Sequence, residues 1–330
     1  MRQAVARCET MNHLLTVSAL AIALLPSAAP AQDAPSPNAI VAAAPAADWQ
    51  AISAEDLLVM ELAPDRDGND RRVVIQLMPP PFSQPWVENI RILARAGWYD
   101  GVSINRVQDN YVVQWGDADA EDAARARALP GDLNPIGAKQ YLQISTAGAE
   151  GAIVLWHPKQ SLVDSYADWA GFDAGWPFAF EIDENTRRLS RWPVHCYGMV
   201  GVGRGYSPDA GSGAELYTVI GHAPRHLDRN IALVGRVVEG IEHLSSLPRG
   251  TGDLSFYEDP AQRVPIRSVR LAADLPESER PAFEYLSTES ASFANYADAR
   301  ANRRDPFFIK PAGGADICNI PVPVRQAGAG

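Results

Sequence analysis

Several groups of residues in this chain have types and spacings that could do chemistry. His222 and His226, with Asp228 just behind, are spaced like metal ligands, but H-x-x-x-H is common and Pro224 between the histidines makes the segment a turn. Gly201-x-Gly203-x-Gly205 could cradle a phosphate, yet no nucleotide-binding strand, glycine helix and distal acid accompany it. Asp65-Arg66-Asp67-Gly68-Asn69-Asp70 is acidic enough to tempt a calcium ion. An EF-hand loop needs Gly at its sixth position and an acid at its twelfth; here Gly is fourth and Gln76 stands twelfth, so a hairpin turn is expected. There is no Gly-x-Ser-x-Gly nucleophile elbow. Arg106, followed by Gln114, reads on composition alone as a surface ion-pair residue. No metal or cofactor site is expected.

Whatever these residues do, elements must hold them. Leu57-Leu58-Val59-Met60-Glu61-Leu62 and Arg72-Val73-Val74-Ile75-Gln76-Leu77-Met78 read as strands, the second placing Val73, Ile75 and Leu77 on one face. Ser83-Gln84-Pro85 opens a helix with Pro in its first turn, a stripe of Trp86, Ile90 and Leu93, and a stop at Gly97. A second helix is expected over 238–247, where Val238, Ile241 and Leu244 share a face and Pro248 enforces the end. Most other segments read as strands punctuated by Gly, Pro and Asp, which points to a mainly β domain carrying two helices. The stretch 118–174 is less regular, with a charged helix-like run over 120–129 and a strand candidate over 152–156. Residues 32–52, rich in Ala and Pro at their start, read as a flexible linker.

The N-terminus has the layout of a secretory signal peptide over 1–31: Arg2 and Arg7, an apolar run from Leu14 to Leu25, and Ala29-x-Ala31 as the cleavage site. The apolar run is shorter than the ~20 residues a membrane span needs. Cleavage would remove Cys8 and leave Cys196 and Cys318 in an oxidising compartment, so a disulfide between them is expected. Export, to the periplasm, is the localisation this implies.

Two segments carry a resemblance. The run Trp98-Tyr99-Asp100-Gly101 through Asn105-Arg106-Val107, Tyr111-Val112 and Gln114-Trp115-Gly116-Asp117 resembles the signature of cyclophilin-type peptidyl-prolyl isomerases: Tyr-x-Gly, Phe-His-Arg-Val, an aromatic and a Met, then Gln-Gly-Gly-Asp. Gly211-Ser212-Gly213-Ala214-Glu215-Leu216-Tyr217-Thr218-Val219-Ile220, then Leu227-Asp228 and Val234-Gly235-Arg236-Val237, is similar to that family's Gly-Ser-Gln-Phe-Phe-Ile run, its Trp-Leu-Asp-Gly turn and its Phe-Gly-x-Val strand. Pro85-Trp86-Val87-Glu88-Asn89-Ile90 and Tyr197-Gly198-Met199-Val200 resemble its first helix and its strand before the pocket.

The resemblance implies a closed antiparallel eight-stranded β-barrel capped by two helices, with a groove that isomerises Xaa-Pro bonds. It assigns Arg106 as the catalytic cation, and Tyr111, Val112, Gln114, Glu215, Tyr217, His226 and Leu227 as substrate-binding residues. Departures from the family include Asn105 for His, Glu215 for Gln, His226 for Trp and Ile231 for His or Tyr. The domain plan is a cyclophilin-like domain over 53–274, an insertion at about 118–174, and a C-terminal extension over 275–330 packed on the barrel. Partners would be proline-containing unfolded or extended polypeptides, in the folding of exported proteins. The alternative is a non-catalytic proline-segment binding module or chaperone.

The bulk figures agree with that class and exclude others. At 46% apolar and 21% charged, the 330 residues carry enough hydrophobic material for a substantial core, which excludes wholesale disorder. A formal charge of −11 argues against a nucleic-acid partner, which needs a clustered basic footprint.

Overall fold

The computed structural model describes residues 34–137, 140–146, 164–183, 185–186 and 188–328. The signal-peptide reading at 1–31 and the strand candidate at 152–156 lie outside these residues. In chain order the elements are α1 (Pro37–Ala42), β1 (Trp49–Ala51), β2 (Leu57–Leu62), β3 (Arg71–Leu77), α2 (Gln84–Arg95), β4 (Ser103–Val107), β5 (Val112–Gly116), β6 (Gln143–Thr146), β7 (Trp169–Asp173), β8 (Trp176–Asp183) and β9 (Arg188–Pro193). There follow β10 (Met199–Val202), β11 (Leu216–Val219), β12 (Leu233–Glu239), α3 (Glu242–Ser245), β13 (Val264–Leu271), β14 (Phe283–Leu286), α4 (Ala291–Ala301) and β15 (Val324–Gln326).

Eight strands close into an antiparallel barrel in the order β10-β11-β5-β4-β13-β2-β3-β12. Its interior is built from alternate residues: Met60 and Leu62 of β2, Val73, Ile75 and Leu77 of β3, Ile104 of β4, Val113 and Trp115 of β5 all sit in one buried cluster. The loop 63–70 joining β2 and β3 is ordered by Asp65, which accepts from the backbone N–H groups of Asp67 and Asn69 at 2.9 Å each and folds the acidic run as a turn. α2 caps one end of the barrel, burying Trp86, Val87, Ile90, Leu93 and Ala94; the Trp86 indole N–H donates to the Ala210 carbonyl at 3.0 Å.

The second helix is shorter than expected. β12 runs on to Glu239 to pair with β3, Gly240 then turns the chain at φ 82°, and α3 is left with Glu242–Ser245. The charged run over 120–129 forms turns rather than a helix, with Asp122 accepting from the Ala124 backbone and pairing with Arg125. The supposed linker is also structured from Pro37. α1 packs on α4, and Trp49 is buried as β1 pairs with β14. The Ala- and Pro-rich composition conceals this, because one tryptophan and a short apolar helix suffice to dock the segment.

Two further sheets lie outside the barrel. β6-β9-β8-β7 forms a four-stranded sheet between β5 and β10 in sequence, running to Pro193 rather than ending at 174. β1-β14-β15 joins the N-terminal stretch to the C-terminal residues. Phe283 of β14 covers the outer faces of β2 and β3, burying Leu57, Val59 and Val74. β2 is therefore buried on both faces, which is why its sequence is a nearly continuous apolar run rather than an alternating one. Cys196 and Cys318 are joined by a disulfide.

Candidate active site

Arg106 owes its direction to an irregularity in β4. Ile104 pairs with Trp115 and Arg106 with Gln114, so two residues of β4 oppose one step of β5. Strict alternation from the buried Ile104 would send Arg106 into the barrel; the bulge turns it outward. There Arg106 Nη1 donates to Gln114 Oε1 at 2.8 Å, Nε to the Leu254 carbonyl at 2.7 Å, and Nη2 to Gln108 Oε1. The rings of Tyr111 and Phe256 lie 5.8 and 5.5 Å from the guanidinium carbon. Burial pushes Arg106 below the ordinary guanidinium range, with Tyr111 and Glu215 opposing that. It stays charged, with its donor fork held rigid.

Gln114 relays between two charges. Its Nε2 donates to Glu215 Oε1 while its Oε1 accepts from Arg106. Glu215 sits immediately before β11 and reaches Gln114. Burial raises its carboxyl above 4.5, Glu121 and Asp209 add to that, and Arg106 works against it.

The apolar half of the site is a separate cluster. Val112, Tyr217 and Val219 are buried together on the outer face of β5 and β11, with Tyr111, Leu227 and Ile231 packed against them. The β4–β5 turn bearing Tyr111 is docked to the chain after β11: Ile220 N–H donates to the Tyr111 carbonyl at 2.9 Å, and His222 N–H to Asn110 Oδ1 at 2.8 Å. Gly221 is required there, since a Cβ on it would lie 2.1 Å from the Asn110 carbonyl carbon.

Together these groups line a cleft of 120 Å³. Arg106, Gln114 and Glu215 supply its polar lining and Tyr111, Val112, Tyr217 and Leu227 its apolar lining, with Gly203, Arg204 and Ile231. His226 lies at the rim rather than in the cleft, exposed and stacked on Tyr111 with ring centroids 6.2 Å apart. Larger cavities of 440 Å³ between α1 and α4, and of 670 Å³ beside β14, have no comparable pairing of a fixed cation with an aromatic pocket.

Sequence reasoning missed Gln108, the Leu254 carbonyl and His195. Gln108 is two residues from Arg106 and could have been found as its strand neighbour. Leu254 and Ser255 take positive φ of 52° and 65° to turn that carbonyl to the arginine, which no local motif announces. His195 is fully buried, with Nε2 2.8 Å from the Tyr217 hydroxyl. Asp228, read beside His222 and His226 as a metal-like set, turns inward to His195 and Arg225 instead.

Comparison with known proteins fits this geometry. The family model "Cyclophilin type peptidyl-prolyl cis-trans isomerase/CLD" matches residues 70–271. Among solved structures, the chain is similar to the cyclophilin AquaCyp293 from Hirschia baltica, with a TM-score of 0.59 at 21% identity, covering 84% of this chain and 93% of that one. It is also matched to the Cryptosporidium parvum cyclophilin-type peptidyl-prolyl cis-trans isomerase cgd2_1660 in the presence of the dipeptide Ala-Pro. That match has a TM-score of 0.37 at 9% identity, covering 64% of this chain and 98% of that one. No curated protein sequence resembles the chain closely enough to count as a match. With the signature strands, the closed barrel and a family match spanning more than half its length, the chain belongs to the cyclophilin-type peptidyl-prolyl cis-trans isomerases.

Proposed function

We propose that this isomerase acts through Arg106 as the stabiliser of a twisted prolyl amide, and that its substrates are extended, proline-containing segments of exported proteins still folding. Rotation about an Xaa-Pro bond meets a barrier of about 18–20 kcal/mol because the C–N bond has partial double-bond character. Twisting it localises the lone pair on the prolyl nitrogen, which can then accept a hydrogen bond that the planar ground state cannot. A cation fixed beside that nitrogen binds the twisted state better than the planar one, and the difference is catalysis.

The observation that carries this reading is the clamp on Arg106. Three acceptors hold the guanidinium at the edge of an apolar cleft, so little reorganisation is needed when the amide twists. Tyr111, Val112, Tyr217 and Leu227 would grip the proline ring, and Gln114 would keep the arginine in register. The folding role rests on the N-terminal pattern at 1–31 and on the slowness of the uncatalysed step, tens to hundreds of seconds, which can limit folding.

The test is the isomerisation rate of an Xaa-Pro tetrapeptide with wild type and Arg106→Ala. A drop of about a hundredfold or more in kcat/KM is expected, comparable with losing one preorganised donor in other enzymes. Equal rates at background in both proteins would favour a binding module that holds proline segments without turning them over, a reading to which the Glu215 carboxyl in the cleft lends support.

A further inference from the structure

Behind the cleft lies a chain of buried polar groups that the mechanism above does not use. Tyr217 forms part of the cleft wall, but its hydroxyl points away from it, to His195 Nε2 at 2.8 Å. His195 Nδ1 lies 2.8 Å from Asp228 Oδ1, which also accepts the His195 backbone N–H at 3.0 Å. Asp228 Oδ2 accepts from Arg225 Nε at 2.6 Å, and Arg225 Nη1 and Nη2 donate to the two oxygens of Asp164 at 2.8 and 3.1 Å. The side chains of His195, Asp228, Arg225 and Asp164 are each no more than 3% exposed.

The direction of the hydrogen bonds follows from chemistry. The Asp228 carboxylate only accepts, so His195 Nδ1 carries a proton. With the proton on Nδ1 alone, Nε2 is the acceptor and the Tyr217 O–H donates to it. Burial raises the Tyr217 phenol well above its usual range, in keeping with a hydroxyl that remains protonated. Polar groups this deeply buried are costly unless every one is paired, so the array stands as a unit.

Its ends explain what it is for. The Tyr217 ring lies over Gly201 of β10, where a Cβ would come within 2.3 Å of the ring carbon Cζ and the hydroxyl oxygen. Held at its tip by His195 and at its base by β11, the ring has one position. Arg225 opens the short turn Arg225–Leu227, so the same array pins Leu227 and His226. Asp164 belongs to the sequence between β5 and β10 that carries the outer four-stranded sheet.

We propose that His195 is a positioning residue for the proline cleft, fixing Tyr217 and the Arg225–Leu227 turn through the relay Tyr217–His195–Asp228–Arg225–Asp164, and that Asp164 makes the inserted segment part of the cleft's construction. This rests on the cleft being the proline-binding site, and it adds a residue and a segment to that site.

The experiment measures calorimetric Kd and, separately, KM and kcat for one Xaa-Pro tetrapeptide. Tyr217→Phe removes a single oxygen and is expected to weaken binding about tenfold, the size of one buried hydrogen bond, with the loss falling on KM rather than kcat. Asp164→Asn moves Kd in the same direction by a smaller factor. His195→Gln matches Tyr217→Phe, and combining them adds little, because both cut the same relay. Wild-type affinity in Tyr217→Phe overturns the proposal, as does full additivity of the two changes, which would make His195 a packing residue. Imidazole ¹⁵N shifts read the relay with no peptide at all: Nδ1 protonated and Nε2 an acceptor, with the Nε2 resonance moving in Tyr217→Phe. A proton on Nε2 instead, or no movement, overturns it. A wild type that binds the peptide without turning it over sinks the catalytic reading alone, since affinity and the ¹⁵N shifts still report the relay.

Discussion

At Glu215 a carboxyl occupies a position where the family carries an amide, and its consequences follow from charge. Ionised, it draws on the field of Arg106 through Gln114, leaving less of that field for a prolyl nitrogen. Burial, then the Glu121 and Asp209 charges, raise its pKa above 4.5 against the pull of Arg106. The fold therefore favours the neutral acid. As pH rises from 4.5 through the elevated folded value, the carboxyl ionises in the cleft, stability falls, and the arginine is partly countered. Glu215→Gln should raise kcat/KM roughly threefold at neutral pH, in line with a partly screened charge at cleft distance. The gain should shrink on acidification, where wild-type Glu215 is itself neutral. Rate profiles of both proteins over the acidic-to-neutral range check this; superimposable profiles would show that Glu215 has no electrostatic part in the site.

Between residue and molecule, the elements show which signals a sequence carries. β2, β3 and α2 were legible because each has a complete local code: an apolar run or an alternation, a Pro in the first turn, a glycine stop. The cleft was legible in part, since Arg106, Gln114, Glu215, Tyr217 and the Tyr111–Val112 pair follow a motif whose order survives. The bulge that turns Arg106 outward and the Leu254 carbonyl that holds it depend on long-range pairing, which no window of sequence contains. His226 sits at the rim because its turn is set by the buried Arg225, not by its own side chain. The expected helix over 238–247 is cut down to Glu242–Ser245 for a similar reason. Its apolar spacing is real, but Gly240 takes φ 82° and a Cβ there would meet the Arg72 carbonyl at 2.1 Å, so Val238 and Glu239 stay in the strand paired with β3. Gly240→Ala should thus destabilise the barrel by about 2–4 kcal/mol through overpacking and backbone strain. A thermal melt would show a fall of roughly 5–10 °C. An unchanged melting temperature would mean that the strand-to-helix junction yields freely.

Across the described residues, the segment 37–51, the inserted sheet and the C-terminal residues all close on one barrel. β1 pairs β14, α1 packs on α4, and Phe283 seals the outer faces of β2 and β3. The disulfide ties this wrapping to the site: Cys196 follows His195 and precedes β10, while Cys318 lies in the C-terminal residues two positions after Asp316, whose carboxylate is 3.9 Å from Arg225. The bond closes a separation of 122 residues, so breaking it releases a long loop's worth of conformational freedom in the unfolded chain. Loops of that order correspond to a stabilisation of about 2–5 kcal/mol. Cys318→Ser should therefore melt well below wild type, and reductant should bring wild type down to the variant while leaving the variant unmoved. Under denaturing, non-reducing conditions the full chain should alkylate at Cys8 alone. Because His195 adjoins the bridge, peptide affinity should weaken alongside stability when the bond is cut, which separates a tether of the cleft from a remote clasp. If reductant lowers the melting temperature and leaves the Kd of an Xaa-Pro peptide untouched, the bridge holds the wrapping to the barrel and has no hand in the cleft.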